Sequence, residues 1–588
     1  MNTRGTGSTL WLLAAMVATW GAIASAQTNS FVGTADAFWD EARFWSLATP
    51  PSISQSAILI TNEVSKTVTI DSITANNFPE TLTISNLTIS ANSGYTNVLA
   101  LTNTGTTTPL YVVTGLAIEG GGGIAISEAA LVVDGTFGTF GQVIASNSFI
   151  QAGAIAIGDN YSEGAMTVDG GTMTTTSGGL LIAACQQCSQ GYLIVSGEGV
   201  LNITNGDTYL GNVGAYNHGT LTISNSTFFA AQVLLGQGFR CVGNFNIVGG
   251  TVTLNGALIT SEEYGGQSAG YVFLNGGKLI VTNADTWIPA GDHGSSSMTV
   301  ADGLFETRNL YLSTPTLGGG RLIIHGGTVQ VDDAIQIGDG YLGSISIDNG
   351  HLIATNGTTS ASTFPDVPDC SGLPVIPCIY PALISISGGD VIMNRIELAR
   401  FGFVNTGGML MITGGSVKVS DGIVLGDCNA EANGYPVDRV GYIWMDGGEL
   451  DVTNDTGSAF IDIQRGELIL SNGTLRVDKL VMTNGCGTFV HAGGTLSVGQ
   501  LVLDPNDFRI ISVAREGNDV RVTWLLGPGI TNALQATTGA ADGSFNTNGF
   551  SDIFIVTNVT TIGTVTNYLD VGAATNAASR FYRARLAL

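Results

Sequence analysis

The side chains able to do chemistry are few and far apart. Five histidines (His218, His293, His325, His351 and His491) fall on different segments. None stands at the i, i+4 spacing of a helical H-E-x-x-H metal site, and no G-x-S-x-G elbow or phosphate-cradling glycine loop occurs. The adjacent acids Asp332-Asp333 and Glu262-Glu263 would point to opposite sides of a strand, so their adjacency makes no acid–base dyad. Cys185 and Cys188 form a solitary CxxC without the second pair that zinc needs, so a local bridge or free thiols are expected there. Cys370 and Cys378, in CSGLPVIPC, are the pair expected to form a disulfide. With seven cysteines in all, at least one remains unpaired. No metal or other cofactor is expected.

One constellation does recur. Loops that follow a Gly-polar turn carry an aromatic: Tyr161, Tyr216, Phe239, Tyr264, Tyr341, Phe403 and Tyr435. Acids recur at the same turn, as Asp159, Asp292, Asp339 and Asp427. If these loops are equivalent positions of successive repeats, they line one edge of the molecule. Such an edge suits a polysaccharide chain, with ring faces meeting sugar C–H groups and carboxylates taking hydroxyls. The alternative is structural: the rings cover one another and the aspartates bond their own turns. Calcium on the aspartates is a third use, although the nine-residue GGxGxDxUx repeat is absent.

The elements that must position these groups follow from composition and period. The chain has 588 residues, 82 of them glycine, with 44% hydrophobic and 11% charged residues and a net charge of −26. So acidic a chain cannot neutralise phosphates, which argues against nucleic-acid binding and against docking on anionic lipid. Low charge with high apolar content argues against disorder, and abundant glycine against a helical fold.

A unit h-x-h-x-G-G-T-h, with h apolar, recurs from about residue 155 to 500. Examples are MTVDGGTM (166–173), FNIVGGTV (245–252), LIIHGGTV (322–329), LMITGGSV (410–417) and IWMDGGEL (443–450). The apolar residues leading the Gly-Gly step, among them Ile223, Ile247, Ile324 and Ile347, recur mostly every 23–28 residues. Each unit holds three short stretches of period-2 alternation, which read as strands with one buried face. Glycines mark the turns between them. So short a unit cannot bury its own apolar face, but stacked on copies of itself it can. The expected fold is all-β: a β-solenoid of roughly 25-residue coils over 60–505, with about 16–20 coils at ~4.8 Å each. A propeller would need blades of about 40 residues or more. Two steps are stretched, Ile347 to Ile386 and Ile412 to Met445, and their surplus is expected in loops.

The ends differ from the repeat. Arg4, the apolar run Leu10 to Ala24 and the Ala24-Ser25-Ala26 box read as a signal peptide over 1–26, with a membrane anchor as the alternative. Residues 27–59 are expected to cap the solenoid, Trp39 and Trp45 with Phe38 and Phe44 plugging its end; a sugar-binding Trp pair is the other reading. Residues 506–588 carry six or seven strand-like segments and read as a small C-terminal β-sandwich, with Trp524 in its core.

The Trp39…Trp45…Pro50-Pro51 opening, the leader and the G-G-T coils resemble the secreted autotransporter-passenger-like β-solenoid repeat proteins of Verrucomicrobia and related bacteria. The closing N-D-V-R-V-T-W … F-Y-R-A-R-L resembles the fibronectin-III-like domain that ends many of them. The departure is that about 80 closing residues are too few for an autotransporter's membrane barrel. The resemblance implies an exported β-solenoid without self-secretion, and it transfers no catalytic residue. The first expectation is thus a structural or adhesive protein, secreted or at the cell surface and not an enzyme. The alternatives are a polysaccharide-binding protein using the aromatic edge, and a polysaccharide lyase or hydrolase. The expected partners are extracellular polysaccharide or cell-surface components, with no nucleic acid and no membrane span after signal cleavage.

Overall fold

The computed structural model describes residues 27–158, 162–183, 188–211, 215–261, 268–289, 295–313, 319–338, 343–362, 382–399, 406–429, 431–432, 435–436, 439–483, 486–503, 508–526, 529–540, 542–559, 564–575 and 578–587. It is all-β, with about 68% strand, and its main body is a β-solenoid of about 16 turns at 25-residue spacing. At one strand spacing per turn the rod is roughly 77 Å long.

One coil shows the plan. Strand Val242–Leu254 bends at Gly249–Gly250 into a first and a second face, and Leu258–Thr260 forms the third. The next coil repeats this in parallel and in register: Phe245 pairs with Val272, Val252 with Leu279, and Leu258 with Thr286. Alternation therefore becomes stacking. Ile223, Ile247, Leu274, Val300, Ile324 and Ile347 form one buried column inside the first face, all at 0% exposure.

The Gly-Gly step is required by the corner between the first two faces. Gly415 has φ +71, and a Cβ there would lie 2.6 Å from the Gly389 carbonyl oxygen of the preceding coil. Coils without the glycine pair solve the corner otherwise. Asn147 and Asn225 adopt φ 48 and 49 at the position of Gly170 and Gly249, since Asn tolerates the left-handed region better than most residues. A second left-handed column opens the loop after the third face. Gly158, Gly211, Gly236 and Gly426 occupy it, and so do Ala183, Ser261 and Ala399.

The parallel ladder begins early. Thr28–Ser30 pairs with Ala57–Ile60, which pairs with Thr83–Ile89. Trp39 and Trp45 are buried, at 0% and 2% exposure, with ring centroids 5.2 Å apart; Phe31 meets Trp45 edge-on at 5.3 Å. Each indole N–H has an acceptor, Trp39 on the Thr81 carbonyl and Trp45 on the Trp39 carbonyl. Rings buried in this way have no face left for a sugar. The strand Lys66–Ile70 ends before Asp71. Asp71 then caps the short helix Ser72–Asn77, accepting from Thr74 N.

At the far end, two three-stranded antiparallel sheets follow the solenoid: Ile510–Glu516, Asp519–Leu526 and Thr564–Asp570 in one, and Ser551–Val559, Gly529–Gly539 and Ser579–Ala587 in the other. Val522, Trp524, Leu526 and Leu534 form their common core. No helix among the described residues is long and apolar enough to cross a membrane.

Candidate functional site

Of the aromatic edge, Tyr216 and Phe239 are described with their side chains, and the fold brings them together. Ala215 bridges Phe239 in parallel, and Tyr216 N donates to the Phe239 carbonyl, so the two loops stack as successive coils do. The rings meet edge to face with centroids 6.1 Å apart, and both are exposed, at 44% and 42%. The Arg240 guanidinium lies 5.4 Å from the Tyr216 ring and 5.2 Å from the Phe239 ring, and it donates to the Tyr216 hydroxyl at 2.9 Å. The cation thus occupies ring surface that a sugar would need. Asp427 serves its own turn: it accepts from Asn429 N at 3.0 Å and lies 3.5 Å from Arg439.

Tyr161, Tyr264, Tyr341, Phe403, Asp159, Asp292, Asp339, Cys370 and Cys378 lie outside the described residues, as does the expected signal peptide. The backbone of Tyr435 lies in a short hairpin, Glu431–Ala432 against Tyr435–Pro436. A disulfide not anticipated from sequence joins Cys428 to Cys486, with Cα atoms 5.9 Å apart and a sequence separation of 58. It ties two loops that only stacking brings together. Cys188 carries a free, exposed thiol.

Three outward-facing arrangements escaped the sequence reading. On the third face, Leu181, Tyr209, Leu234, Ile259, Trp287 and Tyr311 form one unbroken column over six coils. Trp287 and Tyr311 stack face to face, 3.9 Å between centroids and 10° between planes, so their faces serve each other. Asp285 beside them binds Arg308 at 3.1 Å. Burial, and then the Asp285 charge, push the Tyr311 hydroxyl pKa above its ordinary value.

On the first face, two apolar columns run through the later coils. Leu383, Met409 and Tyr442 form one; Met411, Trp444, Ile469 and Val490 form the other. Trp444 is 42% exposed. The second face of the same coils is the reverse, with His351, Asp390, Lys418, Glu449, Asp451 and Arg476 pointing outward. His351 Nδ1 lies 3.2 Å from Asp390, Arg476 pairs with Glu449, and at the adjoining corner His325 Nδ1 lies 2.8 Å from Asp348. The signal was present in sequence as the identity of the middle residue in each h-x-h triplet, but it has meaning only when triplets of different coils are aligned. Among the described residues no three potential metal ligands converge.

The fold and its surfaces define a β-solenoid repeat protein followed by small antiparallel sheets. Comparison with protein-family models, with curated proteins and with solved structures yields no match.

Proposed function

We propose that the protein is an exported, non-enzymatic rod with a structural and adhesive role. The observation that carries this reading is the outward apolar block on the first face, centred on Met409, Met411, Tyr442 and Trp444. Trp444 is the exposed member and Met409, Met411 and Tyr442 beside it are half-buried; apolar side chains gathered on an outer face suit an interaction site, and the parallel ladder beneath supplies a stiff support. The leader-like 1–26 segment and the resemblance to autotransporter-passenger-like proteins support export. In the test, purified 27–588 is adsorbed to an alkyl-silanised surface in a quartz-crystal microbalance. Met411→Ser/Trp444→Ser should lower adsorption several-fold with an unchanged circular-dichroism spectrum. Equal adsorption, or polysaccharide turnover abolished by one carboxylate substitution, overturns the proposal.

A second reading is polysaccharide binding along the loop edge, which the exposure of the Tyr216 and Phe239 rings supports, a sugar then displacing the Arg240 guanidinium from them. Tyr216→Ala/Phe239→Ala should then weaken retention on a polysaccharide matrix; unchanged retention removes it.

A further inference from the structure

The second face holds a small cavity of about 220 Å³ that neither surface above uses. It is lined by His351, Ile353, Asp390, Val391, Ile392, Ser416 and Lys418. Three consecutive coils build it. His351 aligns with Asp390 and Asp390 with Ser416 in one column; Ile353 aligns with Ile392 and Ile392 with Lys418 in the next. The floor is therefore apolar, with Ile392 40% exposed. One wall carries the His351–Asp390 pair and the Ser416 hydroxyl, and Lys418 stands at the end of the floor.

The order along the column decides what this site can do. Asp390 stands between His351 and Ser416, so Ser416 is two rungs, about 9.6 Å, from the imidazole. That exceeds the reach of a base that must take a hydroxyl proton, so the constellation is not a nucleophile with its base. As a binding site its parts complement one another. Asp390 holds the imidazole oriented, leaving its other ring nitrogen for a ligand. Lys418 is exposed and, although Asp451 stands beside it on the next rung, makes no ion pair among the described residues, unlike Arg308, Arg395, Arg439 and Arg476, which are all paired. An unpaired ammonium with a neighbouring hydroxyl suits a carboxylate. The isoleucine floor suits the C–H face of a sugar ring, and the cavity has room for one such ring.

We infer that this cavity binds a carboxylated pyranose, a hexuronate residue, with its carboxylate on Lys418 and Ser416, its ring on Ile353 and Ile392, and its hydroxyls on His351 and Asp390. The site is separate from the apolar block and the loop edge, so its fate and theirs are independent.

The experiment is methyl NMR of isoleucine-labelled 27–588 titrated with sodium glucuronate, sodium galacturonate and methyl glucoside. The expected result is a saturable, millimolar shift of the Ile353 and Ile392 methyl signals, assigned by Ile→Val substitution, with at least one of the two uronates. Methyl glucoside should bind at least fivefold more weakly, and Lys418→Gln should weaken uronate binding about tenfold. Lys418 is exposed, so that variant should keep the wild-type methyl spectrum for isoleucines outside the cavity. No saturable shift with either uronate, equal binding of methyl glucoside, or unchanged binding in Lys418→Gln each overturns the inference.

Discussion

Gly415→Ala tests whether the Gly-Gly corner is demanded by the neighbouring coil as well as by its own backbone. Two costs are separable in the structure. The first is local: Gly415 has φ +71, where a non-glycine residue costs about 1–2 kcal/mol, partly offset by about 0.4–1 kcal/mol from the stiffer unfolded chain. The second is between coils. The new Cβ would lie 2.6 Å from Gly389 O, 2.7 Å from Gly388 C and 2.8 Å from Gly388 O. These are backbone atoms of a hydrogen-bonded rung and cannot swing aside, so overpacking should add about 1–3 kcal/mol. Gly457→Ala is the control, since Gly457 has φ +65 but nothing within 4 Å of its would-be Cβ. It should lose about 1 kcal/mol, against about 2–4 kcal/mol for Gly415→Ala. A stacked repeat opens locally, so the assay is native-state hydrogen exchange resolved by peptide. Amides of Ala382–Ile386, Thr406–Ile412 and Arg439–Val452 should exchange about 30- to 900-fold faster in Gly415→Ala, and strands before residue 300 should be unaffected. Equal effects of the two substitutions would refute the claim that the preceding rung selects glycine.

Lys66 is buried (4% exposed), its ammonium donating to Asn97 Oδ1 at 2.9 Å and the Val64 carbonyl at 3.0 Å, and burial lowers its pKa to about 8. The unfolded chain therefore holds the proton more tightly between about pH 8 and the ordinary value of 10.5. Resistance of the first coils to urea should rise with pH across that window, and Lys66→Met should remove this rise. Replacing both Cys428 and Cys486 with Ser releases a 58-residue loop; chain entropy puts the loss at about 4 kcal/mol, read as earlier guanidinium unfolding of the last coils. Trp45→Ala empties the N-terminal plug at a cost of about 3–5 kcal/mol. Limited proteolysis should then cut within 28–90 while the coils beyond stay intact.

Much of the fold was legible because it rests on two local rules. Period-2 alternation orients Ile247 and Val252 inward whatever lies above or below them, and Gly249–Gly250 mark a corner that only left-handed backbone can turn. Corners held by Asn147, Asn225 and Glu198, and loop starts at Ala183, Ser261 and Ala399, were harder to see, because these residues adopt positive φ only when stacking rungs force it. The aromatic edge was half legible. The equivalence of the loops carrying Tyr216 and Phe239 follows from the period, but the Arg240 guanidinium against both rings does not.

By itself, the sequence determined the strand period, the inward columns, the glycine corners and hence a three-sided parallel solenoid, since each of these depends on residues within one coil. Tertiary structure alone decided which outward residues meet. Trp287 and Tyr311 are 24 residues apart yet stack, His351 reaches Asp390 across a stretched repeat, and Cys428 finds Cys486 two coils on. The physical reason is register. Alignment of one coil on the next is set by a ladder of about a dozen aligned residue pairs and by loops of unequal length, and a slip of one residue would turn strand side chains to the opposite face.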